Sequence, residues 1–189
     1  PTVILGQRAP FCEQFASVEV DDLTASSQVT QHLLELGHRR IAFFAGSQVL
    51  PSSRERLEGY RRALRDAEVT WDDRLIFNAG STIEEGGKAA MQMLSESTPA
   101  TAVQAVNDLV AIGAANVFLR QGLRIPQDMS VPGFRNVLTS EHFRVPLTTV
   151  RQPKMRLGLA ATEIMQHLLA HQPATSTRLT AIPRLCSSW

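Results

Sequence analysis

Cationic side chains near one predicted helix start are the strongest candidates for chemistry in this sequence. Residues 54–65 contain five arginines and two glutamates. The glutamates interrupt the positive charge and no ladder of aromatic residues accompanies it, which argues against a nucleic-acid surface. Two interpretations stay open: a solvated helix face, or a site role for Arg54 or Arg56, because anions are favoured at the N-terminal end of a helix.

The sequence lacks the motifs of common enzyme and cofactor sites. Residues 80–88 have the wrong glycine spacing for a P-loop, and neither GxGxxG nor GxSxG occurs. His167 and His171 are four residues apart, but no cysteine or carboxylate pattern joins them, so we expect solvated side chains at a helix end. Cys12 and Cys186 are too distant in sequence for a zinc ribbon. We therefore expect no catalytic residue, no metal site and no cofactor.

The composition is that of a globular chain with a weak net charge. The 189 residues are 43% hydrophobic, and 19 basic residues oppose 18 acidic ones. A net charge of +1 argues against nucleic-acid binding by bulk charge. No apolar run approaches the ~20 residues that span a bilayer, and residues 1–6 lack a signal-peptide pattern. We expect no membrane partner and a cytoplasmic location.

Short apolar runs alternate with segments of helical spacing along the chain. The runs predict strands at residues 2–6, 17–20, 40–45, 74–77, 102–106, 129–133, 148–150 and 179–184. Helices between them are predicted to begin at Asp22 or Thr24, after Ser52 or Ser53, at a capping box of Ser81-Thr82 with Glu85, at Asn107-Asp108, and at Pro153. This alternation predicts an α/β fold with a parallel, doubly wound sheet.

Four polar segments follow predicted strands: residues 45–56, 77–82, 106–108 and 133–136. In open α/β sheets, ligands bind in the crevice at the carboxyl ends of the strands. We therefore expect these four segments to meet at one binding crevice. Such a site binds a ligand and requires no catalytic residue.

A set of motifs occurs here in one order: Val20-Asp21-Asp22, Gly37-His38-Arg39-Arg40, Arg56-x-x-Gly59-Tyr60, Asn107-Asp108, Ile125-Pro126-x-Asp128-x-Ser130-Val131-x-Gly133-Phe134, and Pro146-Leu147-Thr148-Thr149-Val150. The ordered set resembles the effector-binding core of the LacI/GalR family of bacterial transcription regulators. The resemblance implies a fold like that of type I periplasmic binding proteins, with two lobes joined by three crossing strands. The second lobe is expected to be complete and the first only partial.

The resemblance also implies how the chain is divided. Residues 1–22 are expected to be a remnant of the first lobe and a hinge crossing, and residues 23–147 the second lobe. Residues 148–175 would form another crossing and a first-lobe helix, and residues 176–189 a strand returning to the second lobe. A DNA-binding helix-turn-helix is expected upstream, outside this chain.

The implied function is effector sensing. A small sugar, sugar acid or sugar phosphate would bind between the lobes, and a homodimer would present the helix-turn-helix to operator DNA. The alternatives are a solute-binding protein of a sugar transporter or chemotaxis system and, less favoured, an α/β enzyme.

Three ligand contacts follow from the resemblance by position. Arg56 would grip a hydroxyl or carboxylate, because its planar fork of donors suits either group. Asn107 would read a hydroxyl, and Asp22 would contact ligand at the hinge crossing.

The sequence departs from the family pattern at three positions. Arg135 stands where the family usually has a carboxylate, and Ser81 where an aromatic ring often stacks on a sugar. Pro132 should end its strand early. Arg56 and Arg135 at one mouth suggest an anionic effector. The alternative is that Arg135 pairs with a neighbour such as Glu141.

Overall fold

A computed structural model describes residues 1–6, 12, 14–96, 99–136, 143–173 and 176–179. Its strands are β1 (Val3–Leu5), β2 (Ala16–Val20), β3 (Ile41–Ala45), β4 (Ile76–Asn78), β5 (Ala102–Ala105) and β6 (Thr177–Leu179). Its helices are α1 (Asp22–Glu35), α2 (Pro51–Asp66), α3 (Ile83–Ser95), α4 (Asp108–Arg120) and α5 (Lys154–Leu169), and a short 3-10 turn, Asp73–Leu75, precedes β4. No helix within these ranges is long and apolar enough to cross a membrane.

The strands form two parallel sheets of three strands each, in the orders β1-β2-β6 and β4-β3-β5. In β3, Ala42 and Phe44 belong to a buried cluster with side chains of α3 and α4. The alternate β3 residues Ile41 and Phe43 belong to a second cluster with side chains of α1 and α2. Successive strand residues point to opposite faces, so both faces of the central strand are covered by helices. The predicted α/β class and parallel pairing are confirmed.

Helix starts follow the predicted capping chemistry with two corrections. Thr82 and Glu85 form the predicted capping box, and Asn107 caps α4 by accepting from Val110 N. For α1 the cap is Asp21, which accepts from Thr24 N, rather than Asp22 or Thr24. Helix α2 begins at Pro51, before Ser52, because proline has a helical φ and its missing N–H is not needed in the first turn.

Three predicted strands differ from the structure. Residues 129–133 form a single bridge at Ser130 and then run beside β5, since Pro132 has no N–H to continue a ladder. Residues 148–150 form no strand; they accept hydrogen bonds from the segment at Gly133. The last described strand begins at Thr177, two residues before the predicted start, and pairs with β2 in the sheet β1-β2-β6. Residues 180–184 lie outside the described residues.

Close helix packing positions the elements around the second sheet. A Cβ on Gly59 of α2 would lie 2.2 Å from the Leu23 carbonyl oxygen of α1. A Cβ on Gly113 of α4 would lie 2.0 Å from the Ile83 carbonyl oxygen of α3. Both helix pairs therefore approach so closely that only glycine fits at the contact.

Candidate functional site

A cavity of about 220 Å³ lies where β3, β4 and β5 end. Four of the five predicted site residues line it: Arg56, Ser81, Asn107 and Arg135. The other lining residues are Gly46, Ser47, Leu50, Ser52, Ser53, Gly80, Glu85 and Val106. The predicted convergence of the polar segments after the strands is thus observed. The fifth predicted residue, Asp22, is not among the lining residues and contacts Arg56.

Arg56 is the most deeply buried of the predicted site residues, with 3% of its surface exposed. Its Nε and Nη2 donate to Asp22 Oδ1 at 3.2 and 3.0 Å, and Nη1 donates to the Val106 carbonyl at 2.6 Å. The guanidinium carbon lies 4.0 Å from the centroid of the Phe134 ring. These contacts join α2, the start of α1, the end of β5 and the segment after Pro132. They use three of the five guanidinium N–H donors.

The electrostatics of Arg56 are set by burial and by three charged groups. Burial lowers the pKa of Arg56, the ion pair with Asp22 raises it, nearby Arg135 lowers it, and Asp108 raises it. Because an arginine stays protonated in proteins, the guanidinium is a permanent buried cation compensated by carboxylates.

Asn107, Ser81 and Glu85 form one connected part of the cavity wall. Asn107 Nδ2 donates to the Ser81 carbonyl at 3.1 Å, which leaves the amide one further N–H. Glu85 Oε2 accepts from the N–H groups of Ser81 and Thr82 and from Thr82 Oγ1. These donors lower the pKa of Glu85, the Ser81 N–H most. The Glu85 carboxylate therefore satisfies N–H groups at the start of α3.

Arg135 is the exposed cation at the mouth. Its N–H donates to the Val150 carbonyl, and its guanidinium makes no hydrogen bond or ion pair within the described part of the chain. Its φ of 105° is a backbone conformation that L side chains rarely adopt. The predicted alternative partner, Glu141, lies outside the described residues.

Sequence reasoning missed several residues that shape this site. Phe134 and Asp108 belong to the quoted motifs, but nothing local indicates that the ring covers Arg56 or that the Asp108 carboxylate is buried. The sequence predicts Glu85 as a capping residue but does not indicate that it lines the cavity. Thr149 donates to Asp108 at 2.5 Å, and its hydroxyl role has no sequence signal.

A second surface feature among the described residues contains none of the predicted site residues. A larger depression of about 620 Å³ surrounds Trp71, before the amino end of β4. Across the described ranges, no group of three His, Cys, Asp or Glu residues is placed to hold a metal ion.

Comparison with known proteins places the chain in a family. Residues 30–187 match the family of periplasmic binding protein-like domains. The chain is 38% identical over 161 residues to the HTH-type transcriptional repressor CytR of Escherichia coli, covering 85% of this chain and 47% of that protein. It is 34% identical over 167 residues to the HTH-type transcriptional regulator CelR of Thermobifida fusca, covering 88% and 49%. It therefore spans about half the length of these relatives.

A solved structure gives the same result. The complex of the transcriptional regulator CelR with cellobiose matches with a TM-score of 0.87 and 32% identity, covering 96% of this chain and 56% of that one. The fold, the cavity at the strand ends and the relatives agree with the resemblance read from the motifs. The chain belongs to the family of periplasmic binding protein-like domains, in the branch formed by the LacI/GalR regulators.

Proposed function

We propose that this chain is the effector-sensing part of a LacI/GalR-type transcriptional regulator. The observation that carries the proposal is the convergence of Arg56, Ser81, Asn107 and Arg135 on one cavity at the carboxyl ends of the second sheet. Binding, and not catalysis, is the proposed role. The protein would act in the cytoplasm, as a homodimer on operator DNA.

The cavity is proposed to be one wall of a larger cleft. Its volume of about 220 Å³ is below the ~300–1,000 Å³ of typical small-molecule sites. In the proposed division, residues 23–147 supply this wall, and the first lobe, to which residues 1–22 and 148–175 belong, supplies the other. The ligand would favour one orientation of the lobes and so change operator affinity, by a coupling free energy of typically ~1–3 kcal/mol.

The proposed effector is a small polyhydroxylated molecule with an anionic group. Arg135 offers an exposed guanidinium, and Arg56 has N–H donors left after its internal contacts. Ser81 and Asn107, on the wall that also carries Glu85, suit hydroxyl groups. The anionic end is therefore proposed at Arg135 and the hydroxylated end at Asn107.

Calorimetric titration of the full-length protein with D-gluconate and D-glucose tests the ligand chemistry. A charge-assisted hydrogen bond contributes ~1.5–3 kcal/mol, so we expect the acid to bind about tenfold more tightly or better. Arg135→Asp should reverse this preference. Arg156→Asp, on exposed α5, is the charge-matched control and should leave it unchanged.

The outcomes separate the ligand class from the alternatives. Equal affinity for both probes, or a preference for the acid that survives Arg135→Asp, would remove the anionic assignment. A full-length protein that binds a sugar but no DNA would favour the solute-binding alternative.

A further inference from the structure

The turn that carries Arg135 is held in an unusual backbone conformation. Arg135 has a φ of 105° and Asn136 a φ of 51°, and neither residue is glycine. Asparagine tolerates the left-handed region, but arginine at a φ of 105° is disfavoured. Such conformations persist only where surrounding contacts impose them. The contacts around residues 133–136 therefore determine where the Arg135 side chain stands.

One hydroxyl group fixes this turn from the buried side. Thr149 Oγ1 accepts from the Asn136 N–H at 3.2 Å and donates to Asp108 Oδ1 at 2.5 Å. Thr149 is 1% exposed and Asp108 is fully buried. The Thr149 hydroxyl therefore connects the Asp108 carboxylate to the backbone of the turn, and the position of the carboxylate determines that of the turn.

Asp108 also fixes the turn directly. Its N–H donates to the Phe134 carbonyl at 3.1 Å. A Cβ on Gly133 would lie 2.2 Å from Asp108 Oδ1, so the carboxylate packs against the backbone of the turn. The first residue of α4 thus holds the turn at two points.

Thr149 lies on the segment that leads from the second sheet to α5. The same segment accepts from the turn at two carbonyls, with Gly133 N donating to Thr148 O at 2.8 Å and Arg135 N donating to Val150 O at 3.0 Å. A movement of this segment would therefore move the Arg135 turn, and the reverse.

We propose that Asp108 and Thr149 are positioning residues that impose the strained conformation of Arg135 and connect it to the segment before α5. In doing so they set the preference for an anionic ligand. The positioning role stands on the contacts alone, whereas the ligand preference rests on the proposed function. The two parts are separable by experiment.

A stability cycle tests the positioning role without any ligand. Urea unfolding is measured for the full chain carrying Arg135→Gly, Thr149→Val, or both. Glycine adopts a φ of 105° without strain, so Arg135→Gly should lower the unfolding constant several-fold when Thr149 is present. In the Thr149→Val background the turn loses the contact at the Asn136 N–H and can relax in part, so Arg135→Gly should stabilise the chain less. The unfolding constant of the double variant should therefore differ by a factor of about two or more from the value expected if the two single effects multiplied.

Two variants serve as controls for the cycle. Thr149→Ser keeps the hydroxyl and should behave as the parent chain. Thr30→Val removes an equally buried hydroxyl, one that donates to Gln104 in β5 and does not touch the turn. It should weaken the fold yet leave the effect of Arg135→Gly unchanged. An equal effect of Arg135→Gly in all four backgrounds would overturn the positioning role.

Binding of the two probes then tests the specificity role. In the full-length protein, Thr149→Val should abolish the preference for D-gluconate over D-glucose, and Thr149→Ser and Thr30→Val should retain it. A preference unchanged by Thr149→Val would overturn this part. If neither probe binds the parent protein, the proposed ligand class fails, and the stability cycle still decides the positioning role.

Discussion

The buried ion pair of Asp22 and Arg56 should be one of the single contacts whose loss lowers the free energy of unfolding most. The side chains of Asp22 and Arg56 are almost completely buried, at 7% and 4% exposure, with a shortest N–O distance of 3.0 Å. Removing one partner of such a pair leaves an uncompensated charge and costs about 3–5 kcal/mol. We expect Asp22→Ala to lower the free energy of unfolding by this amount, a large part of the ~5–15 kcal/mol of a typical domain.

The assay is urea unfolding of four chains: the parent, Asp22→Ala, Arg56→Met and the double variant. The double variant should be destabilised by less than the sum of the single ones, because no unpaired charge is left. The exposed pair Arg62–Asp66 on α2, 53% and 61% exposed at 3.6 Å, is the matched control. Asp66→Ala should cost only ~0.3–0.5 kcal/mol.

The interpretation of the buried pair would be refuted by two results. One is a cost for Asp22→Ala no larger than that for Asp66→Ala. The other is strict additivity of Asp22→Ala and Arg56→Met.

Two further predictions concern packing and pH. Gly59→Ala places a Cβ against the Leu23 carbonyl and should destabilise by ~1–3 kcal/mol in urea unfolding, whereas Gly87→Ala meets only ordinary contacts and should stabilise by ~0.5–1 kcal/mol. Burial lowers the pKa of His38 below its ordinary 6.5, so the unfolded chain binds the proton more readily. The stability that this shift contributes is complete above pH 6.5 and is lost as the pH falls through the lowered pKa of the folded chain. The melting temperatures of the parent and of His38→Asn should therefore approach each other as the pH is lowered from 7.5 to 5.5.

The elements of the second sheet could be predicted because their signals are local. Apolar runs and capping residues lie within a few positions of the structures they specify, as in β3 and the Thr82–Glu85 box. Because ligands bind at the carboxyl ends of parallel strands, the predicted strands place Arg56, Ser81, Asn107 and Arg135 at one cavity, as observed.

The parts that escaped prediction depend on distant residues. Arg56 and Asp22 are separated by 34 positions, and no periodicity indicates that the Asp22 carboxylate meets the Arg56 guanidinium. The positive φ of Arg135 is not predictable from the sequence because the residue is not a glycine. This φ also depends on Thr149, which belongs to another segment. Residues 148–150 are all β-branched, as strand residues often are, yet they accept hydrogen bonds from the irregular segment after Pro132.

Effector-linked operator binding by the full-length protein tests the central claim most directly. Operator fragments selected from random DNA would be titrated by fluorescence anisotropy, with and without saturating D-gluconate, for the parent and for Arg135→Asp. We expect the ligand to change operator affinity by about 5–150-fold in the parent and to have little effect on Arg135→Asp, whose affinity without ligand should be unchanged. An operator affinity that responds equally to D-gluconate in both proteins would contradict the assignment of this cavity as the sensing site.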